Sequence, residues 1–211
     1  VPGRVKTRLT PLLTPEEAAD LYRAFLLDAA EDYATLGVPV RILFPPGDEP
    51  PAGLPAGATV HRQRGDGLGE RLLAAFVDAF REGHRAAVAI GTDHPTLPLA
   101  FVRLALDEVA HPRRVALGPT EDGGYYLLGA SDLYPQLFAG MTYSHEGVFE
   151  ETIARVGQTP ADLTVLPPWY DVDTPADLAR LADDLDDAEP DCARRTREVV
   201  AKLRFLHPAL R

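Results

Sequence analysis

Between residues 86 and 98 the chain passes from an apolar run, Ala86-Ala87-Val88-Ala89-Ile90, into a loop, Gly91-Thr92-Asp93-His94-Pro95-Thr96-Leu97-Pro98. A short apolar run that stops at Gly, with prolines beyond it, reads as a buried strand. In an open α/β sheet, ligands bind just past the carboxyl ends of the strands. Asp93 therefore stands where a carboxylate can hold a cation, and a cation there can hold a phosphate. Apolar runs alternate with helical periodicities along the rest of the chain, which specifies an α/β sheet covered on both faces.

Residues 1–13 bring three cations close together, Arg4, Lys6 and Arg8, behind a Pro2-Gly3 turn. Such a loop can wrap a polyphosphate with side chains and backbone N–H groups, or can simply be solvated. Lys6 stands out because the chain has two lysines against nineteen arginines. A compact ammonium aimed at a phosphate would explain its retention, and chance would serve as well. Thr14-Pro15-Glu16-Glu17 is a helix start with a capping box. An apolar stripe follows, with Leu21, Tyr22, Phe25, Leu26, Ala29 and Tyr33 at helical spacing, until Gly37. Residues 38–44 read as a buried strand and 59–62 as a short one.

Gln63-Arg64-Gly65-Asp66-Gly67-Leu68-Gly69-Glu70-Arg71 is a Gly-rich entry to a helix. It either receives an anion or lets a ligand approach, or it is an ordinary connection. It fits neither the dinucleotide nor the Walker pattern. Residues 97–109 predict a helix and 114–117 a strand. Asp122-Gly123-Gly124-Tyr125 is a tight bend, open to a ligand or serving as a plain hairpin turn. Residues 132–138 and 146–156 predict helices, with His145 in the loop between them. After a short strand at 162–166, Asp171 and Asp173 sit two apart, which puts both on one side of an extended segment. Two carboxylates so placed suit a divalent cation, or Asp173 merely supports the cap that Thr174, Pro175 and Asp177 start. Residues 193–206 form a basic amphipathic helix, able to pack on the domain or on a second subunit as a homodimer.

The formal net charge of −11 argues against a nucleic-acid surface. No apolar run reaches the roughly 18 residues of a membrane span, and no basic-then-apolar leader opens the sequence. The single Cys192 excludes an internal disulfide. A reducing cytoplasm is the expected compartment.

Taken in order, Pro2-Gly3-Arg4-Val5-Lys6-Thr7-Arg8-Leu9, Gly67-Leu68-Gly69-Glu70-Arg71, Gly91-Thr92-Asp93-His94-Pro95, Gly118-Pro119 with Asp122-Gly123-Gly124-Tyr125-Tyr126, and Asp171-Val172-Asp173-Thr174-Pro175 resemble the DUF2064 proteins. These are bacterial GT-A-type nucleotide-diphospho-sugar transferases. The guanylyltransferases of molybdenum-cofactor and 2-phospholactate metabolism share the architecture. The resemblance spans about residues 1–185. It implies a three-layer α/β/α sandwich with a mostly parallel sheet, over residues 1–187, and a helical extension over 188–211. Family members open with an apolar strand ahead of the Pro2-Gly3 turn. The first strand is thus missing from the given chain, and the only methionine is Met141, as expected of a clipped start. Tyr143 stands where relatives carry Trp.

Carried over residue by residue, the resemblance implies that Gly3, Arg4, Lys6 and Arg8 bind nucleotide phosphates. Asp93 would hold Mg²⁺ or Mn²⁺ together with Asp173 and, less centrally, Asp171. Gly69, Gly123, Gly124 and Tyr125 would line the sugar or acceptor side, and Asp122 is the first choice for a catalytic group, ahead of His145. The expected function is metal-dependent glycosyl transfer from a nucleotide-sugar to a small-molecule acceptor. A nucleotidyl transfer that takes a nucleoside triphosphate and releases pyrophosphate is the alternative, and a non-catalytic nucleotide-binding protein is a third reading.

Overall fold

A computed structural model describes residues 1–207, so the last four residues of the expected helical extension lie outside the described part. Along the chain run α1 (Pro15–Ala34), β1 (Arg41–Phe44), β2 (Thr59–Arg62), α2 (Leu68–Arg81), β3 (Ala87–Ile90), α3 (Leu99–Val109), β4 (Arg114–Pro119), β5 (Tyr125–Ala130), α4 (Val148–Val156), β6 (Asp162–Val165), α5 (Pro175–Asp187) and α6 (Arg194–Leu206). The starts of α1 and α5 form as the sequence predicts. Thr14 with Glu17, and Thr174 with Asp177, each complete a reciprocal capping box behind a proline in the first turn.

The main sheet has the order β3-β5-β4-β6. β4 and β6 run parallel, and β5 runs antiparallel to both of its neighbours, β3 and β4. Three of the four strands therefore point one way. β1 and β2 form a separate parallel pair. Side chains alternate between the faces as strand geometry requires. Ala87 and Ala89 of β3 and Val115 and Leu117 of β4 meet Phe76 of α2 and Val156 of α4 on one face. Val88, Ile90 and Ala116 meet Val102, Ala105 and Val109 of α3 on the other. That is the expected three-layer arrangement. A further core joins Leu9 and Leu13 to α1, α5 and α6.

Two expectations change. The apolar runs predict β1 and β3 as buried strands, yet all four residues of β3 and three of the four in β1 are half-buried. Among the described residues each pairs along one edge only. The expected helix over 132–138 shrinks to a 3-10 turn, Pro135–Leu137. Tyr134 is held at φ −115° by the proline that follows, which disfavours helical backbone there. Its hydroxyl and the Arg113 N–H both donate to the Asp132 carboxylate, which fixes a turn instead. Among the described residues no helix is long and apolar enough to cross a membrane.

Candidate active site

The segment after β6 organises the site. It continues past the strand as a thread tied by backbone hydrogen bonds to two other loops. Leu166 N–H donates to Leu117 (2.9 Å) and Trp169 N–H to Pro119 (3.1 Å), while Glu121 N–H donates back to Trp169 (3.0 Å). Val172 N–H then donates to the Asp93 carbonyl (3.0 Å). The end of β3, the β4–β5 bend and the Asp171–Asp173 segment are thereby held side by side. Pro167, Pro168 and Pro175 favour this extended path, because proline fixes φ and restrains the residue before it.

Lys6 and Arg8 reach the same place from the chain start. The Lys6 ammonium pairs with Asp93 and, at 2.9 Å, with Asp173. Arg8 pairs with the other oxygen of Asp173. Lys6 takes a left-handed backbone (φ 49°, ψ 39°) at the head of a short 3-10 turn. For a residue with a Cβ this costs on the order of 1 kcal/mol. Burial alone would lower the Lys6 pKa, but Asp93 and Asp173 outweigh it and hold the ammonium charged. The Tyr22 hydroxyl shares a 2.8 Å hydrogen bond with Thr92, and its ring lies 6.0 Å from the Lys6 nitrogen.

Asp171 faces inward beside this pair. Burial, and then the like charges of Asp122, Asp93 and Asp173, push its pKa up to about 7. His94 is buried, and its Nδ1–H donates to the Tyr170 carbonyl at 3.1 Å. That leaves the Nε2 lone pair toward Asp171, 3.5 Å away. Burial lowers the His94 pKa, so the ring is neutral near pH 7.

The structure sorts the remaining candidates. Asp122 belongs to the cluster electrostatically, and its carboxylate also closes a local turn by accepting from the Thr120 hydroxyl and from Gly124 N–H (3.1 Å). Asp173 does not serve the α5 cap. Asp177 accepts the backbone N–H groups of Asp173 (3.1 Å) and Thr174 (2.7 Å), which leaves the Asp173 carboxylate to the two cations. Arg4 turns to Asp48 (3.2 Å) and not to this cluster, while Gly3, at φ +75°, makes the bend before it.

Gly69 and Gly123 are packing glycines. A Cβ on Gly69 would lie 2.8 Å from the Phe138 carbonyl oxygen and 3.0 Å from the Tyr143 ring. One on Gly123, which sits at φ +88°, would strike the Glu146 backbone. A Cβ on Gly124 would crowd the Thr120 hydroxyl at 2.9 Å. The Tyr125 hydroxyl donates to Tyr143 (3.3 Å), and its ring joins the α2 and α4 core. His145 is engaged at both ring nitrogens. Nε2 meets the Thr142 carbonyl, and Nδ1 accepts Gly147 N–H, each at 3.0 Å. In this arrangement the ring braces the loop into α4.

Two members of the site were not singled out from sequence. His94 lies beside Asp93 in the same motif, and its neighbour was the available signal. Tyr22 lies on the apolar stripe of α1, where helical spacing cannot separate a site residue from a core one. Among the described residues, no three His, Cys, Asp or Glu side chains already converge as a metal set. An ammonium bridges Asp93 and Asp173 instead.

No curated protein matches the chain. A protein from Desulfovibrio desulfuricans G20, provisionally named a nucleotide-diphospho-sugar transferase, has a crystal structure at 1.90 Å with 32% identity to this chain. The match covers 97% of this chain and 93% of that one, with a TM-score of 0.85. The fold is thus the α/β fold of that protein, as the motifs led us to expect. Residues 30–145 match the family described as "Uncharacterized protein conserved in bacteria (DUF2064)". With more than half of its length inside that match, the chain belongs to the DUF2064 family.

Proposed function

We propose that the protein is a metal-dependent transferase that uses a nucleotide-activated donor, with glycosyl transfer from a nucleotide-diphospho-sugar as its reaction. The observation that carries this reading is the meeting of Lys6 and Arg8 with Asp93, Asp171 and Asp173 beyond the strand ends. The name of the Desulfovibrio protein supports a transferase of this kind. The donor set suits a hard divalent ion, because Asp93, Asp173 and Asp171 offer carboxylate oxygens, and burial together with the like charges of Asp122, Asp93 and Asp173 holds the Asp171 carboxyl above its ordinary range.

Asp93 and Asp173 would hold Mg²⁺ or Mn²⁺, with Asp171 beside them. When bound, the ion would offset charge on the diphosphate and on the leaving oxygen. Lys6 and Arg8 would orient the phosphates and add to that electrostatic stabilisation. The Tyr170 carbonyl would fix the His94 ring through its Nδ1–H, and Asp122 is a further carboxylate for the acceptor side. A soluble, cytoplasmic working site is part of this reading. So is a small-molecule acceptor.

A nucleotidyl transfer at the same site is the second reading. It is favoured by Arg8, which pairs with Asp173 yet is 66% exposed and so within reach of a longer phosphate chain. Product analysis separates the two: nucleoside diphosphate released from nucleotide-sugars supports the first, and pyrophosphate released from nucleoside triphosphates supports the second. The metal assignment is tested by calorimetry with Mn²⁺ and nucleotide. Asp93→Ala and Asp173→Ala should each weaken binding on the order of 100-fold, the scale over which ligand charge tunes divalent-ion sites. Unchanged metal-dependent binding in both variants would remove Asp93 and Asp173 from the site.

A further inference from the structure

Lys6 is the buried cation of the cluster. Its side chain is 3% exposed, against 66% for Arg8. Its ammonium bridges Asp93 and Asp173, the same two carboxylates that a divalent ion would need. The Tyr22 and Phe25 rings lie 6.0 Å and 5.7 Å from it, which adds cation–π attraction to the two ion pairs. The left-handed backbone at Lys6 is what aims the side chain inward from an otherwise exposed loop. Two cations cannot hold the same carboxylate oxygens at full strength.

We propose that Lys6 is an internal stand-in for the divalent ion, so that ion and phosphate binding are coupled through the exchange of one ammonium. The proposal rests on the metal-dependent reading above. With no ligand bound, Lys6 neutralises Asp93 and Asp173 and keeps the site from stray ions. An ion arriving alone must displace it. A polyphosphate gives the ammonium another anion to pair with, and so opens the carboxylates to the ion. Each ligand thus favours the other, as linkage requires when two ligands bias one element.

The two lysines make a direct test available. Lys202 is exposed and serves as an internal reference when an amine-reactive reagent is read by peptide mass spectrometry. In wild-type protein without divalent ion, Lys6 should react far more slowly than Lys202. Saturating Mn²⁺ alone should speed labelling of Lys6 roughly tenfold, within the ordinary range of site-to-site coupling, and leave Lys202 unchanged. Mn²⁺ binding is followed in parallel by the paramagnetic resonance signal of the free ion. Lys6→Gln should bind Mn²⁺ alone roughly tenfold more tightly than wild type, whereas Lys6→Arg, which keeps the charge, should not. If Mn²⁺ binds in an Asp93-dependent way while Lys6 labelling and the Lys6→Gln affinity stay at wild-type levels, the stand-in is wrong and the metal reading survives. If Mn²⁺ binds neither wild type nor Lys6→Gln, both fall together. Should Lys6→Gln fail to fold, the labelling of wild-type protein decides alone.

Discussion

Asp171 shows how a single residue can be held in an unfavourable state by its neighbours. Its carboxyl is poised near pH 7 by burial and by three like charges, whereas an unfolded chain would ionise it near its ordinary value of 3.8. Above pH 7 it is charged in both states, and the folded protein bears the whole penalty. As pH falls through 7 the folded state takes up a proton first, and the penalty fades. By about pH 4 the unfolded state is protonating too, and further acidification brings little more gain. At about 1.4 kcal/mol per pH unit, the rise from 3.8 to about 7 amounts to about 4 kcal/mol, which partial exposure of the side chain reduces to about 2 kcal/mol. In metal-free buffer, Asp171→Asn should therefore raise the melting temperature by about 6 °C at pH 8. The gain should be much smaller at pH 5. Equal gains at the two pH values would mean that the like charges do not act on Asp171 as described.

At the scale of elements, helix ends are satisfied in two different ways. α1 and α5 carry their own caps, written into Thr14-Pro15-Glu16-Glu17 and Thr174-Pro175-Ala176-Asp177. α6 has no side-chain cap of its own, and its N-terminal flank, Ala193, is left-handed at φ 46°. Its cap comes from the middle of α1. The Asp28 carboxylate, 4% exposed, accepts from the backbone N–H of Arg195 at 3.1 Å and of Thr196 at 2.8 Å. The Arg195 guanidinium adds a third contact at 3.3 Å. Asp28→Ala leaves two helix donors without that acceptor, a loss of about 2 kcal/mol. Hydrogen exchange under native conditions should show amides near the start of α6 opening faster, with β4 and β5 unchanged. Faster exchange across the whole protein, or none anywhere, would contradict this local role.

Over the whole molecule, α6 shares the core of the transferase-like fold. Val200 and Leu203 are buried in one cluster with Leu21 and Phe25 of α1 and with Leu181 and Leu185 of α5. That cluster also holds Leu9, which anchors the turn after Lys6, and Val172, which lies between the two site carboxylates. Core and site are therefore coupled through shared residues. Ending the chain after Glu189 would strip burial worth roughly 5 kcal/mol, a large part of the 5–15 kcal/mol that holds a typical domain together. Such a chain should melt about 10 °C or more below the full protein and bind an apolar dye. An unchanged melt would show that α6 contributes little to the core.

Much of this was legible in the residues alone. The alternation of apolar runs and amphipathic helices specified the layers, because both periodicities are local properties of the backbone. The two capping boxes were readable for the same reason. The motif order placed Asp93, Asp173, Lys6 and Arg8 in one site before any distance was known. What sequence could not decide depends on which distant atoms come together. The Lys6–Asp173 contact joins residues 167 positions apart. Tyr22 as a site residue, Gly69 and Gly123 as close-packing points, His145 as a loop brace and Asp28 as a cap in trans all follow from neighbours that no spacing rule contains. Local patterns determined the elements and the chemical inventory. Only the tertiary structure decided that the ammonium of Lys6 would rest between the carboxylates, since burial and like-charge repulsion exist only once the loops have met.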